Sequence, residues 1–202
     1  RTDAGGNVDS FLDMSTAPLK GVAGRANAAC ATGLAFALGA DEAGVRESIM
    51  GFTALPHRQE IVARAESIQF VNDSKATTAD ATASALEAYG PGVVLIAGGS
   101  SKGTSFKPLA TSIAKHARGA VLFGATAEEI QRSLDRVGYE SDRVVAVETL
   151  AEAFRAAVRL AQPGDTVLMS PACASFDQFA NYEERGVLFR RLVREWCATR
   201  AG

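Results

Sequence analysis

The stretch Phe70-Val71-Asn72-Asp73-Ser74-Lys75-Ala76-Thr77-Thr78 decides the fold of this 202-residue chain. It begins with the end of an apolar run, residues 68–71, and continues into a polar loop with a carboxylate, a hydroxyl and an ammonium. Thr77, followed three residues later by Asp80, predicts a helix start with a capping box. Such a strand-loop-helix junction directs backbone N–H groups and a positive helix end outward, which favours an anion site. An ordinary connection without a function is the alternative that this stretch leaves open.

Apolar runs alternate with amphipathic segments through the rest of the chain. Residues 59–63 and 67–71 predict a β-hairpin. The later Val, Ile and Leu runs are continuous, as is typical of strands buried on both faces. We therefore predict a Rossmann-like α/β fold, with a mostly parallel sheet and helices on both of its faces. The later strands are predicted at 93–97, 120–123, 144–147 and 166–169, and the helices at 77–88, 106–116, 127–137, 150–161 and 182–196.

Capping pairs mark the starts of the last three predicted helices. In each pair a Thr or Asn precedes a Glu by three residues. The pairs are Thr126 with Glu129, Thr149 with Glu152, and Asn181 with Glu184.

The first part of the chain has a different pattern. Residues 27–38 and 41–50 predict two helices, with Gly39 ending the first. Leu55-Pro56 then interrupts the pattern, because a residue before proline is held extended. We place a domain boundary there, between residues 1–55 and residues 56–202. The first segment is too short to bury a core alone.

Composition narrows the classes of function. With 47% hydrophobic residues the chain has enough apolar material for a core. A net charge of -2 gives no electrostatic basis for binding nucleic acid or an anionic membrane. No apolar run approaches the roughly 20 residues of a membrane span, and no secretory leader is visible. The three cysteines, Cys30, Cys173 and Cys197, form no CxxC pair, so we expect reduced thiols, no metal site and a cytoplasmic location.

Ligands of parallel α/β sheets bind beyond the carboxyl ends of the strands. The loops there offer two lysines, hydroxyls and a carboxylate, and Arg58 after the predicted boundary adds a further cation. This set suits a doubly anionic small molecule or a phosphate. The glycine loop at 98–103 lacks the GxxxxGK[ST] spacing of a phosphate loop; it could aim Lys102 at an anion or be a plain turn. Cys173 is expected to pack beneath its loop rather than act as a nucleophile.

The loop motifs resemble those of the Mur ligase family. The resemblance covers essentially the whole chain, and the longest motif is specific to the members that add D-glutamate. The motifs are Leu55-Pro56-His57-Arg58, Asn72-Asp73-Ser74-Lys75-Ala76-Thr77, Gly98-Gly99 with Lys102-Gly103, and Ser170-Pro171-Ala172-Cys173-Ala174-Ser175-Phe176-Asp177-Gln178-Phe179, followed by Glu183 and Arg185-Gly186.

This resemblance implies an ADP-forming ligase of three domains. ATP, bound with Mg²⁺ mainly by a part absent from this sequence, activates the carboxylate of UDP-N-acetylmuramoyl-L-alanine as an acyl phosphate. The amine of D-glutamate then attacks it to form an amide, a step of peptidoglycan synthesis. Residues 1–55 would be the end of the central ATP-binding domain and residues 56–202 the amino-acid-binding domain. We expect a monomer that is inactive without the missing phosphate loop.

The resemblance also implies roles for individual residues. Lys75, Asp73 and His57 would be catalytic. D-glutamate would contact Lys75, Thr77, Lys102, Ser175, Phe176 and Tyr182. ATP would be reached by Asn27, His57, Arg58 and Asp73.

Five residues at three places in the chain depart from the family pattern. Thr78 stands where an asparagine is usual, and Ser100 and Ser101 stand where an acidic residue usually accompanies the lysine. Ala23 and Gly24 replace a His-Asn pair ahead of Asn27.

Two other functions remain open on the sequence. One is a non-catalytic module that binds an acidic amino acid and works with a partner chain. The other is a related ligase for a different amino acid, such as a folylpolyglutamate-type enzyme. Competition between D-glutamate and other acidic amino acids would distinguish them.

Overall fold

A computed structural model describes residues 12–14, 16–101 and 103–200 of the chain. The chain divides into two compact units, Arg1–Thr53 and Ala54–Gly202. No helix within the described ranges is both long enough and apolar enough to cross a membrane.

The first unit contains the two predicted helices. Helix α1 spans Gly21–Ala37 and helix α2 spans Glu42–Met50. The first helix starts six residues before its predicted start, although the added residues include Gly21 and Gly24, which have a low helix propensity. Gly39 follows the end of α1 with a φ of 88°, a conformation that suits glycine. Asn27 lies on α1 and is exposed.

The second unit is built on a six-stranded sheet. Its strands are β1 Glu60–Ala65, β2 Ile68–Asn72, β3 Val93–Gly98, β4 Ala117–Phe123, β5 Val144–Val147 and β6 Thr166–Met169. The spatial order is β1-β2-β6-β3-β4-β5. Strand β1 pairs antiparallel with β2 as the predicted hairpin, and the other neighbours are parallel.

Helices cover both faces of this sheet, as predicted. They are α3 Ala79–Tyr89, α4 Lys107–His116, α5 Ala127–Arg136, α6 Leu150–Leu160 and α7 Tyr182–Ala198. One hydrophobic core includes residues of α3, α4 and α5, and the other includes residues of α6 and α7. Neighbouring strand residues serve opposite cores: Val71 packs in the first and Phe70 in the second.

Two of the four predicted capping boxes are absent, and a third forms only in part. Helix α3 is capped by Thr78, whose Oγ1 accepts the Ala81 N–H at 3.3 Å, so Thr77 belongs to the loop. Thr126 makes no side-chain cap for α5, because its hydroxyl lies 3.3 Å from the Cys173 sulfur.

The other two predicted helix starts have the expected cap residues, Thr149 and Asn181. The box of Thr149 with Glu152 is present in full at the start of α6. Asn181 caps α7 by accepting the Glu184 N–H at 2.8 Å. The Glu184 carboxylate, however, accepts from the Ala180 N–H rather than from that of Asn181.

Candidate functional site

Two polar loops leave neighbouring strands at the carboxyl edge of the sheet. Residues 73–78 follow β2, and residues 170–178 follow β6. The Asp73 N–H donates to the Met169 carbonyl at 2.8 Å, and the Ala172 N–H donates to the Ala76 carbonyl at 3.0 Å. Ala172 reaches this position with a φ of 63°, a conformation that is uncommon for a residue with a Cβ. The loops are therefore fastened to each other along their backbones.

Arg185 on α7 holds the same two loops together from within. Its side chain is fully buried. The guanidinium donates to the Ser74 hydroxyl at 3.0 Å and to the Ser74 carbonyl at 2.9 Å. It also donates to the carbonyls of Cys173 and Ala174 at 3.1–3.3 Å. Burial lowers the pKa of Arg185 to about 10, so the group is still a cation at neutral pH.

Asp73 is a buried carboxylate with neutral hydrogen-bond donors. Its Oδ1 accepts the Gln59 N–H at 3.1 Å, and its Oδ2 accepts the Ser170 hydroxyl at 2.8 Å. Burial raises the pKa of Asp73 to about 6, and the positive charge of Arg58 acts in the opposite direction. Arg58, which is exposed, therefore lies close enough for its positive charge to act on the pKa of Asp73.

Lys75 and Tyr182 meet at the mouth of the two loops. The Lys75 ammonium lies 3.8 Å from the centroid of the Tyr182 ring, a cation–π contact. The Tyr182 carbonyl in turn accepts the Ser74 hydroxyl at 2.7 Å. Thr77 and Ser175 lie in these loops, and Phe176 is 73% exposed at the surface of the second loop. Five of the six residues expected to contact D-glutamate therefore lie on the two fastened loops and the helix start beside them.

The sixth, Lys102, lies outside the described residues, so its role stays a prediction. The glycine pair before it has a clear steric purpose. Gly98 and Gly99 have φ values of 134° and 138°. A Cβ on Gly98 would collide with the Phe123 carbonyl, and one on Gly99 would collide with the Ala174 carbonyl. The pair lets this loop approach its neighbours closely.

His57 is buried rather than open to a ligand. Its Nδ1 lies 3.0 Å from the Asn72 amide nitrogen, and its ring meets the Tyr182 ring edge-on at 6.2 Å. A Cβ on Gly186 would collide with this ring. Burial, assisted by the charge of Arg190, lowers the pKa of His57. These contacts describe a neutral, packed imidazole, and its catalytic role stays a prediction.

Cys173 is packed beneath its loop, as expected. It is buried, and desolvation raises the pKa of its thiol, which disfavours the reactive thiolate.

Arg185 was not among the predicted site residues, and neither was Glu60, whose carboxylate accepts the His57 N–H at 2.9 Å. Arg185 appears in the motif that carries the resemblance, but an arginine on an amphipathic helix ordinarily indicates an exposed face. The neighbouring Gly186 signals a close approach of another group to the helix, but that group is the His57 ring and not a partner of Arg185.

The fold and loops define an α/β domain with a polar site at the carboxyl edge of its sheet. A family model described as "Mur ligase, glutamate ligase domain" matches residues 57–173, and the chain belongs to this family.

Two curated proteins with similar sequences belong to one kind of ligase. A UDP-N-acetylmuramoylalanine–D-glutamate ligase of Bordetella parapertussis is 40% identical over 199 residues, which cover 98% of this chain and 39% of that protein. The enzyme of the same name from Salinibacter ruber is 41% identical over 185 residues, 92% of this chain and 40% of that protein. The chain thus spans about two fifths of the length of these curated relatives.

Solved structures share the fold. The UDP-N-acetylmuramate-alanine ligase MurC of Thermotoga maritima has a TM-score of 0.66 at 21% identity, with 89% of this chain and 39% of that chain covered. A folylpolyglutamate synthase of Mycobacterium tuberculosis has a TM-score of 0.63 at 18% identity, with coverages of 86% and 41%.

Proposed function

We propose that this chain is the amino-acid-binding part of an ADP-forming ligase that adds D-glutamate to UDP-N-acetylmuramoyl-L-alanine in peptidoglycan synthesis. Relatives about 40% identical over most of the chain bear that name. The expected assignment of residues 1–55 to an ATP-binding domain is part of this proposal. The monomeric state and the cytoplasmic location stay predictions.

The observation that carries the proposal is the Lys75 ammonium held at the mouth of the two fastened loops. D-glutamate has two carboxylates, and each needs a positively charged or hydrogen-bonding partner. Lys75 would bind one of them, and Lys102 would bind the other. The hydroxyls of Thr77 and Ser175 add hydrogen-bond donors, and Phe176 and Tyr182 supply apolar walls.

The described residues fit a magnesium ion poorly. They contain no group of three His, Cys, Asp or Glu side chains that could hold a metal. Both oxygens of Asp73 already accept hydrogen bonds, from the Gln59 N–H and from the Ser170 hydroxyl. We therefore propose that residues beyond this sequence bind magnesium and most of ATP. Arg58, an exposed cation, would contribute to ATP, while the roles of Asn27, His57 and Asp73 toward ATP stay predictions.

Calorimetric titration of the 202-residue chain tests the proposal. We expect weak, saturable binding of D-glutamate and much weaker binding of L-glutamate. The Lys75→Met variant serves as the control, because it removes the cation and keeps an unbranched side chain of similar length. It should abolish the heat of D-glutamate binding. Equal binding of the two enantiomers, or no binding of either, would contradict the proposal.

A further inference from the structure

The carboxylate of Glu60 on β1 joins three segments of the second unit. Its Oε2 accepts the backbone N–H of His57 at 2.9 Å and the Asn72 amide at 3.1 Å. Its Oε1 lies 3.4 Å from the Arg190 guanidinium on α7. One side chain thus connects the loop before β1, the end of β2 and helix α7.

The contacts of Asn72 favour one protonation state of His57. The Asn72 amide nitrogen has three acceptors within reach: the Glu60 carboxylate at 3.1 Å, the Gly186 carbonyl at 3.2 Å and His57 Nδ1 at 3.0 Å. The amide oxygen accepts the Ser74 N–H at 3.2 Å. Because an amide nitrogen only donates, its contact with His57 is a hydrogen bond only when Nδ1 carries no proton. The contact therefore favours the neutral imidazole with its proton on Nε2.

His57 connects this network to Lys75 in two ways. Its carbonyl accepts the Lys75 N–H at 3.0 Å, which positions the backbone of the lysine. Its ring packs edge-on against Tyr182, whose face holds the Lys75 ammonium. Both the backbone and the charged end of Lys75 are therefore linked through His57 to Glu60.

We propose that Glu60 is a positioning residue for the amino-acid site: by holding His57 and Asn72 it sets the place of the Lys75 ammonium. This inference rests on the proposed function, because Lys75 would bind a carboxylate of D-glutamate. Glu66 provides a contrast at the other end of the same hairpin. It pairs with Arg200 at 3.2 Å, an exposed contact at the hairpin turn.

The position of Lys75 can be measured directly by nuclear magnetic resonance. The chain has five lysines, so ¹³C-lysine labelling gives a simple spectrum. The ε-CH₂ protons of Lys75 should be shifted upfield by the ring current of Tyr182, and the Lys75→Arg variant assigns the signal. In Glu60→Gln we expect this signal to move toward those of the other lysines. The Kd for D-glutamate should rise about tenfold, as for the loss of one hydrogen bond to a charged group.

The matched control is Glu66→Gln, which should change neither the Lys75 signal nor the Kd. An unmoved Lys75 signal or an unchanged Kd in a folded Glu60→Gln variant would overturn the inference. If that variant does not fold, Arg190→Gln replaces it. That change removes only the anchor on α7, and it should move the signal less but in the same direction; an unmoved signal would again overturn the inference.

The two proposals fail in different ways. If the wild-type chain does not bind D-glutamate, the proposed function is wrong, and this is seen before any variant is made. If the wild-type chain binds but Lys75 does not respond to Glu60→Gln, only the positioning role is wrong.

Discussion

Two buried aspartates at opposite edges of one strand pair have very different surroundings. Asp165 precedes β6, and Asp73 follows β2, the strand beside it. The Asp165 carboxylate lies 2.7 Å from the Arg118 guanidinium and accepts the Gln162 N–H at 2.8 Å. Asp73 accepts a backbone N–H and a serine hydroxyl, and burial raises its pKa to about 6.

The surroundings of Asp165 are those of a structural buried charge, and the surroundings of Asp73 are those of a functional one. A carboxylate paired with a cation is compensated for its lost hydration. A buried carboxylate that has only neutral donors costs stability, and residues of this kind cluster at functional sites. The carboxyl edge of the sheet therefore has the properties of a site, and the amino edge those of a scaffold.

The cation at the carboxyl edge, Arg185, gives the largest expected effect. Arg185→Met removes the guanidinium hydrogen bonds that join the two loops and leaves buried carbonyls unpaired. We expect a loss of about 4 kcal/mol in the free energy of unfolding and no D-glutamate binding in the folded fraction. Urea unfolding and calorimetry measure the two quantities.

The matched variant at the other edge is Arg118→Met. The Arg118 side chain is 43% exposed, so water screens its pair with Asp165. We expect a loss of only about 1 kcal/mol, with D-glutamate binding unchanged. Equal losses of stability in the two variants, or D-glutamate binding by a folded Arg185→Met chain, would break the comparison.

Asp73→Asn should produce a smaller change of opposite sign. The folded-state pKa of Asp73, about 6, lies above its ordinary value of 3.8, so the native state binds this proton more tightly than the unfolded state. The ionised carboxylate therefore destabilises the native state above pH 6, and the destabilisation disappears as the pH falls toward 4. Removing the charge should stabilise the chain by about 3 kcal/mol at pH 8 and very little at pH 4.

Urea unfolding across this pH range measures the effect. Asp165→Asn is the counterpart, because it weakens an ion pair and should destabilise the chain at pH 8. A stability difference between wild type and Asp73→Asn that does not change with pH would show that the buried carboxylate carries no such cost.

The fold was predictable because its strands are continuous apolar runs. Strands β5 and β6 have the predicted bounds, and the hairpin and the helices on both faces were also predicted correctly. The failures occurred where tertiary contacts compete with local signals. Thr126 has the sequence of a cap, yet its hydroxyl turns to Cys173 from a distant loop.

The candidate site was predictable only in part. Strand-end position placed Lys75 and Asp73 among the candidate loop residues, because parallel strands bring their carboxyl ends together, and the family resemblance selected them. The network that holds them was not predictable, since Glu60 and Arg185 are separated by 125 positions and act through backbone carbonyls and amides. Hydrogen bonds of this kind leave no pattern in a single sequence.

The most direct test of the account is a map of amide chemical shifts in the ¹⁵N-labelled chain during titration with D-glutamate. The account predicts that the shifts are concentrated in residues 73–78 and 170–182, with little change around Asp165 and Arg118 and a much weaker response to L-glutamate. Shifts centred on the amino edge, or an equal response to both enantiomers, would contradict it.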